Sequence, residues 1–128
     1  MATLIVTSGP GIDNYYPLGH RTTVVGRDEG VLVQILDPHV SRKHFQICYK
    51  PETELYYILD MKSRHGTIVN GVAVDHLTPL CNNDVIIAGG TTLLFTTRDF
   101  PDRQSALAYR KQVGERDETT MMPERGHR

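Results

Sequence analysis

The sequence predicts an all-β domain made of antiparallel sheets, arranged as a sandwich or a barrel. Up to about residue 97, short apolar runs rich in Val, Ile, Thr, Tyr and Phe alternate with turn-forming residues. The separators carry the glycine, proline, asparagine and aspartate that turns favour. No stretch before Arg98 has a sustained helical period. Many short strands joined by frequent turns are typical of packed or closed antiparallel sheets.

Nine apolar runs are predicted to be strands. In chain order they cover residues 4–7, 16–18, 22–25, 31–35, 45–49, 56–60, 67–70, 85–88 and 91–96. The strongest hairpin signal is Asn70-Gly71 between Thr67–Val69 and Val72–Val74, because both turn residues tolerate positive φ.

The pattern changes near residue 98, which divides the chain into a strand-rich domain (residues 1–97) and an appendage (residues 98–128). Asp102 is placed to cap a short helix that ends at about Val113, before Gly114. Ala106, Tyr109 and Val113 are predicted to share its buried side. Residues 115–128 carry almost no aliphatic side chains, which predicts a mobile polar tail.

Composition excludes several function classes. Apolar residues make up 39% of the chain, enough for a packed core, and the net charge of −1 supplies no general attraction to nucleic acid or membrane. Two cysteines are too few for a disulfide scaffold or a four-cysteine zinc site. The apolar start of the chain is too short for a signal peptide or a membrane span. We therefore expect a cytoplasmic protein whose partners are neither nucleic acid nor membrane.

Three polar clusters fall where loops are expected to leave the sheets. They are Gly26-Arg27, residues 41–44 (Ser-Arg-Lys-His) and residues 63–67 (Ser-Arg-His-Gly-Thr). Each cluster supplies an arginine, whose planar fork of donors matches phosphate, and two add hydroxyl groups. Each alone is an ordinary basic loop. If the loops converge, they form a pocket for one phosphate dianion.

The order and spacing of these clusters resemble the signature of forkhead-associated (FHA) domains. The matching residues are Gly26-Arg27, the segment 41–44, and the segment 60–71, which ends in Asn70-Gly71. Residues 80–89 are similar to the family's late Leu-x-x-Gly-Asp turn and closing strand pair, so the resemblance covers residues 3–97. It implies an eleven-stranded antiparallel β-sandwich whose apical loops bind phosphothreonine peptides.

The resemblance also implies roles for individual residues. The phosphate-binding positions are Arg27, Ser41, Arg42 and Arg64. The peptide-binding positions are His65, Lys43 and Asn70. The positions that support the loops are Gly26, His44, Ser63, Gly66, Thr67 and Gly71.

Two residues depart from the family pattern. His65 replaces a commoner asparagine, and imidazole still donates or accepts a hydrogen bond, so we expect altered peptide preference rather than lost binding. Asn83 replaces the glycine before Asp84, and asparagine tolerates the left-handed region, so we expect the turn to survive.

The function implied is a non-enzymatic adaptor that reads phosphothreonine downstream of a Ser/Thr protein kinase, with no cofactor. Its partners would be a phosphothreonine protein, and a kinase or its substrate. The alternative is a phosphate-independent interaction module of the same fold. An enzyme is disfavoured because the nucleotide-binding glycine loop, His-Glu-x-x-His and Gly-x-Ser-x-Gly are all missing. His39, His44 and Cys48 lack a known metal-ligand spacing.

The paired threonines Thr119 and Thr120 follow acidic residues in the tail. They fit either a featureless polar tail or a kinase substrate similar to the Thr-Thr site in small bacterial FHA regulators, where the site precedes the domain. A phosphorylated tail of this length, as a coil spanning roughly 25 Å, would reach the chain's own pocket or a neighbour's.

Overall fold

The computed structural model describes residues 2–120, with side chains as far as Val113. Eleven strands precede one helix, α1 (Arg103–Thr120). The strands are β1 (Thr3–Ser8), β2 (Tyr15–Pro17), β3 (Thr23–Gly26), β4 (Val33–Gln34), β5 (Phe45–Lys50), β6 (Leu55–Asp60), β7 (Thr67–Val69), β8 (Val72–Ala73), β9 (Thr78–Pro79), β10 (Asp84–Ala88) and β11 (Thr91–Thr96). The short strand β9 was not among those predicted from the sequence, whereas β8 falls within Val72–Val74, the second arm of the predicted hairpin.

The strands form two sheets, ordered β2-β1-β11-β10-β7-β8 and β4-β3-β5-β6-β9. The predicted eleven-stranded sandwich is confirmed, but it is not wholly antiparallel, because β3 and β4 pair in parallel. β4 is only two residues long and pairs with the end of β3, Val25 and Gly26. The connection formed by residues 27–32 therefore needs to return only a short distance and requires no crossover helix.

The core lies between the two sheets and follows from alternation along the strands. In β5, Phe45 and Ile47 are buried while Gln46 is partly exposed, and β10 buries Ile86 and Ala88 while Ile87 is exposed. Side chains at successive positions point to opposite faces of a sheet, so this alternation assigns one face to the core.

Helix α1 covers the outer face of the six-stranded sheet. Its predicted cap is confirmed, because the Asp102 carboxylate accepts a hydrogen bond from Ser105 N–H at 2.8 Å. The predicted buried side, Ala106, Tyr109 and Val113, is also confirmed, and it packs on Ile5 and Leu94.

The predicted end of the helix at Gly114 is wrong, because α1 continues to Thr120. A single glycine costs a helix interior only about 1 kcal/mol relative to alanine, so it does not by itself stop a helix. Residues 115–120, predicted to be a mobile tail, are helical, and residues 121–128 lie outside the described residues. Phosphorylation of Thr119 or Thr120 stays a prediction.

Two turns behave as their residue types predict. Asn70 and Gly71 have φ of 51° and 83° and join β7 to β8 as a hairpin. Asn83 has φ of 70°, so asparagine does occupy the left-handed conformation of the late turn. Within residues 2–120, no helix is both long and apolar enough to cross a membrane.

Asp37 links the two sheets at one end of the sandwich. Its buried carboxylate accepts hydrogen bonds from His39 N–H, Gly90 N–H and the Thr91 hydroxyl at 2.8–2.9 Å. Burial raises the pKa of this carboxyl, but the hydrogen bonds outweigh it and hold the pKa below its usual value of 3.8. The carboxylate thereby ties the β4–β5 loop to the β10–β11 turn.

The lowered pKa of Asp37 predicts acid sensitivity of the fold. Because the carboxyl is a stronger acid folded than unfolded, its stabilisation is complete above about pH 4 and is lost as pH falls through the folded pKa. Asp37→Asn should lower the free energy of unfolding by about 2–3 kcal/mol at pH 7. In urea titrations, the difference in free energy of unfolding between this variant and the natural protein should narrow below about pH 4. A difference in free energy of unfolding that stays constant down to pH 2.5 would contradict the stabilising role of the ionised Asp37 carboxylate.

Candidate anion-binding site

Three loops meet at the end of the sandwich that Asp37 ties together. They are the start of the β3–β4 loop, the β4–β5 loop and the β6–β7 loop, which are the three clusters singled out in the sequence. Between them lies an open cavity of about 460 Å³, lined by Arg27, Pro38, His39, Val40, Ser41, Arg64 and His65.

The first two loops are joined through their backbones. Arg27 N–H donates to Ser41 C=O at 3.0 Å, and Asp28 N–H donates to Arg42 C=O at 3.2 Å. Gly26 permits this approach, because a Cβ at that position would lie 2.0 Å from the Arg42 carbonyl oxygen. The glycine before Arg27 is therefore required by contact with the opposite loop.

The side chain of Arg27 is oriented by its neighbours while its binding groups stay available. Its Nε–H donates to Val40 C=O at 2.9 Å. The two terminal amino groups of the guanidinium belong to an exposed side chain that lines the cavity. One anchored nitrogen and two free ones suit bidentate binding of an anion.

Ser41 is positioned so that its hydroxyl can donate. The Ser41 Oγ accepts a hydrogen bond from Arg64 N–H at 2.9 Å. Since a hydroxyl has one hydrogen of its own, that hydrogen is left to donate to a ligand in the cavity. The same bond fixes the backbone of Arg64, which brings the third loop to the site.

His44 supports the site from beneath. Its fully buried ring accepts a hydrogen bond from Ser41 N–H at Nδ1 (3.0 Å), so Nε2 carries the hydrogen that it donates to Gly66 C=O (2.7 Å). The imidazole thus joins the second loop to the third. Both ring nitrogens are used in this way, so His44 is not free to join His39 and Cys48 as a metal ligand.

The third loop is held by the carboxylate of Asp60. This carboxylate accepts hydrogen bonds from the backbone and hydroxyl of Ser63 and from the Thr67 hydroxyl. Ser63 Oγ accepts in turn from Gly66 N–H at 2.9 Å. Burial raises the pKa of Asp60, but the hydrogen bonds from Ser63 and Thr67 outweigh it and keep the pKa below normal.

The lining of the cavity favours anions. It carries two guanidinium groups, two imidazoles and one hydroxyl, and among the described residues that line it none is acidic. The rings of His39 and His65 meet edge to face, with centroids 5.7 Å apart. Clustered donors at the mouth of a concavity attract an anion more strongly than the chain's net charge would suggest.

The structure brings together only some of the predicted ligand-binding residues. Arg27, Ser41, Arg64 and His65 line the cavity, whereas Arg42 and Lys43 are exposed but do not. The predicted supports Gly26, His44, Ser63, Gly66 and Thr67 make the contacts described above, and Gly71 completes the hairpin turn.

Asn70 lies below the cavity, at the far end of β7. Its side-chain amide donates to Asp84 Oδ1 at 2.8 Å and accepts from Val85 N–H at 2.9 Å. With both polar atoms engaged, Asn70 fastens the hairpin to β10. This contact is structural, and the predicted peptide-binding role of Asn70 stays a prediction.

Sequence reasoning missed Pro38, His39 and Val40 as lining residues. The Asp37-Pro38 pair signalled a turn, but nothing in the pattern indicated that the loop folds toward the ligand site. Gly89 permits this path, because a Cβ there would lie 2.8 Å from the backbone of His39. Among residues 2–113, whose side chains are described, no three side chains of His, Cys, Asp or Glu group in a way that would hold a metal ion.

Comparison with known proteins identifies the family. The family model of the FHA domain matches residues 23–89, more than half of the chain. The chain therefore belongs to the FHA family.

The chain is similar to curated relatives and to solved structures of FHA domains. The chain is 32% identical over 96 residues to the glycogen accumulation regulator GarA of Mycolicibacterium smegmatis, covering 75% of this chain and 59% of GarA. It thus spans less than two thirds of that relative. It also matches the FHA domain of CT664 from Chlamydia trachomatis (TM-score 0.70, 27% identity, 77% of this chain and 98% of that one). A structure from work on phosphothreonine-dependent FHA domain interactions matches similarly (TM-score 0.68, 26% identity, 77% and 98%).

Proposed function

We propose that the chain is a non-catalytic module that binds phosphothreonine segments of other proteins, in signalling by a Ser/Thr protein kinase. The observation that carries the proposal is the convergence of Arg27, Ser41 and Arg64 on one cavity without an acidic lining residue. The GarA relative is named as a regulator, and a structural neighbour was studied for phosphothreonine-dependent interactions. Both support a binding role rather than a catalytic one.

The chemistry of the cavity matches a phosphate ester better than a carboxylate. A phosphorylated side chain carries a charge of about −1.5 to −2 and three acceptor oxygens. Two guanidinium groups and a hydroxyl can satisfy three oxygens at once, whereas a carboxylate offers only two. Because Arg27 and Ser41 are already held by Val40 and Arg64, little ordering is needed when the ligand binds.

The test is a comparison of matched peptides. A phosphothreonine peptide pool with randomised flanks is first used to select a binding sequence. That sequence is then titrated calorimetrically in its phosphothreonine, phosphoserine and unphosphorylated forms. We expect the unphosphorylated form to bind at least about 100-fold more weakly, since it forfeits several charge-assisted hydrogen bonds worth about 1.5–3 kcal/mol each. From the family resemblance we expect the phosphoserine form to lie between them.

Equal affinity for the phosphorylated and unphosphorylated forms would overturn the proposal. It would favour the alternative, in which the same fold contacts a partner independently of phosphate.

A further inference from the structure

A second cavity lies at the end of the sandwich opposite the anion-binding site. It has a volume of about 260 Å³ and lies where the β2–β3 loop, the β5–β6 turn and the end of β11 meet. Strand β5 leaves the anion-binding end at Phe45 and reaches this cavity at Tyr49, about 13 Å further along an extended chain. We call it the basal cavity.

One side of the basal cavity is a row of four aromatic rings. The rings of His20 and Tyr49 stack in parallel with their centroids 3.9 Å apart, and Tyr49 tilts against Tyr56 at 5.1 Å. The fully buried ring of Phe95 ends the row, 5.7 Å from Tyr56. The Tyr56 hydroxyl donates to Gly19 C=O at 2.7 Å, which fastens the row to the β2–β3 loop. We call these four rings the aromatic wall, and their mutual contacts hold it in place before any ligand binds.

The charges around the basal cavity are negative. Glu54 is exposed and lines the cavity, and among the described lining residues there is no lysine or arginine. Burial raises the pKa of the Tyr56 hydroxyl, and the negative charge of Asp99 raises it further. A second carboxylate therefore lies close enough to the aromatic wall to act on it electrostatically. Carboxylates beside ring faces favour the binding of a cation.

The size and lining of the basal cavity suit an arginine side chain. Whole small molecules occupy cavities of about 300–1,000 Å³, so a volume of about 260 Å³ fits a single side chain better. A guanidinium is planar, so it can stack on an aromatic ring and pair with a carboxylate at the same time. Its aliphatic stem can pack on Leu55, which lines the cavity and is 44% exposed.

The chain makes a contact of this kind elsewhere with its own residues. The guanidinium of Arg98 lies over the ring of Tyr109 at 4.8 Å and over that of Phe100 at 6.0 Å. Among the residues whose side chains are described, no lysine or arginine lies over a ring of the aromatic wall. Cations of the chain itself therefore do not cover the wall, and a partner can supply one.

We propose that the basal cavity binds an arginine side chain of a partner protein, independently of phosphate. The guanidinium lies against the aromatic wall and pairs with the Glu54 carboxylate. This site goes beyond the proposed function, because it lets one molecule hold a phosphothreonine segment at one end and a basic segment at the other. Since the two sites lie at opposite ends of the strands, either can be filled without blocking the other.

The experiment is an NMR titration of the full chain with three capped tripeptides at equal ionic strength. They are acetyl-Gly-Arg-Gly-amide and the two forms with lysine or citrulline in place of arginine. We expect the arginine peptide to bind saturably, with amide shifts centred on Glu54, Leu55 and Thr97. Citrulline has nearly the same shape without the charge, so it should bind about ten-fold more weakly. Lysine should lie between them, because an ammonium group keeps the charge but has no flat face.

Two variants test the two parts of the basal cavity. Glu54→Gln removes the charge but keeps the size of the side chain, and it should weaken binding of the arginine peptide about three-fold. Tyr49→Leu keeps apolar bulk but removes a ring, and it should lower the preference for arginine over citrulline about three-fold. Glu52→Gln is the matched control, because Glu52 is an exposed acid in the same turn that does not line the cavity. Its affinity for the arginine peptide should stay within about two-fold of that of the natural protein.

Three results would overturn the inference. They are equal affinity for the arginine and citrulline peptides, amide shifts centred outside the basal cavity, and equal weakening by Glu54→Gln and Glu52→Gln. The last would mean that arginine is attracted only by the general charge of the turn.

The inference and the proposed function can fail separately. Arg27→Ala should leave binding of the arginine peptide unchanged, and Glu54→Gln should leave binding of the selected phosphothreonine peptide unchanged. Loss of arginine binding in Arg27→Ala would place the arginine at the anion-binding end and overturn the basal site.

Discussion

Replacing Arg27 with alanine is expected to weaken binding of the selected phosphothreonine peptide by at least about 100-fold. The terminal amino groups of this guanidinium face the cavity while its Nε is held by Val40 C=O. Two charge-assisted hydrogen bonds are lost together, each worth about 1.5–3 kcal/mol, and a tenfold change in Kd corresponds to about 1.4 kcal/mol. Calorimetric titration of the variant with the same peptide measures the loss.

Two further variants show whether the charge of Arg27 or its geometry is responsible for its contribution to peptide affinity. Arg27→Lys keeps the positive charge but loses the planar fork and the Nε bond, so we expect it to recover only part of the affinity. Arg21→Ala removes an exposed arginine at the opposite end of β3 and should leave affinity nearly unchanged. Arg27→Ala with undiminished affinity and a normal unfolding transition would show that phosphate does not bind in this cavity.

Replacing His44 with alanine is expected to lower the free energy of unfolding by about 3–5 kcal/mol, and to weaken peptide binding as well. The ring is fully buried and is the shared partner of Ser41 N–H and Gly66 C=O. Its removal leaves a cavity and two partly buried polar groups without their partner, and each effect is costly. Binding weakens because the second and third loops lose the link that places Ser41 beside Arg64. Urea unfolding and calorimetric titration measure the two losses.

The contribution of volume can be separated from that of hydrogen bonding. His44→Phe fills most of the space but restores neither bond, so we expect it to remain well below the natural protein in stability. His76→Ala replaces an exposed histidine of the β8–β9 connection and should change stability by less than about 0.5 kcal/mol. A loss of under 1 kcal/mol for His44→Ala would contradict a supporting role for the ring.

Local patterns predicted most of the strands, for identifiable reasons. Alternation in β5 and β10 and the residue types of Asn70-Gly71 act over a few neighbouring residues, where sequence and conformation are directly coupled. The two-residue strand β9 escaped prediction because its pairing with the distant strand β6 defines it, and two residues carry no period. The parallel pairing of β4 and the continuation of α1 beyond Gly114 are likewise set by packing and pairing rather than by local preference.

The sequence likewise predicted some residues of the candidate site and missed others. The motif resemblance selected Arg27, Ser41, Arg64 and His65, which the structure gathers around one cavity, although their individual roles stay predictions. The same resemblance selected Lys43, which lies outside the lining. Conversely, His39 lines the cavity only because Gly89 lets its loop pass close to the β10–β11 turn. That contact joins residues fifty positions apart, so no local sequence pattern predicts it.

The amino-acid sequence by itself determined that this chain is a β-sandwich of the FHA type with a capped helix after it. Periodicity, turn chemistry and motif spacing depend on residues that are close together in the sequence, so they can be recognised without a structure. Only the tertiary structure decided which donors share a cavity and that His44 bridges two loops. These features depend on distances between loops of different strands, and such distances exist only once the two sheets have packed together.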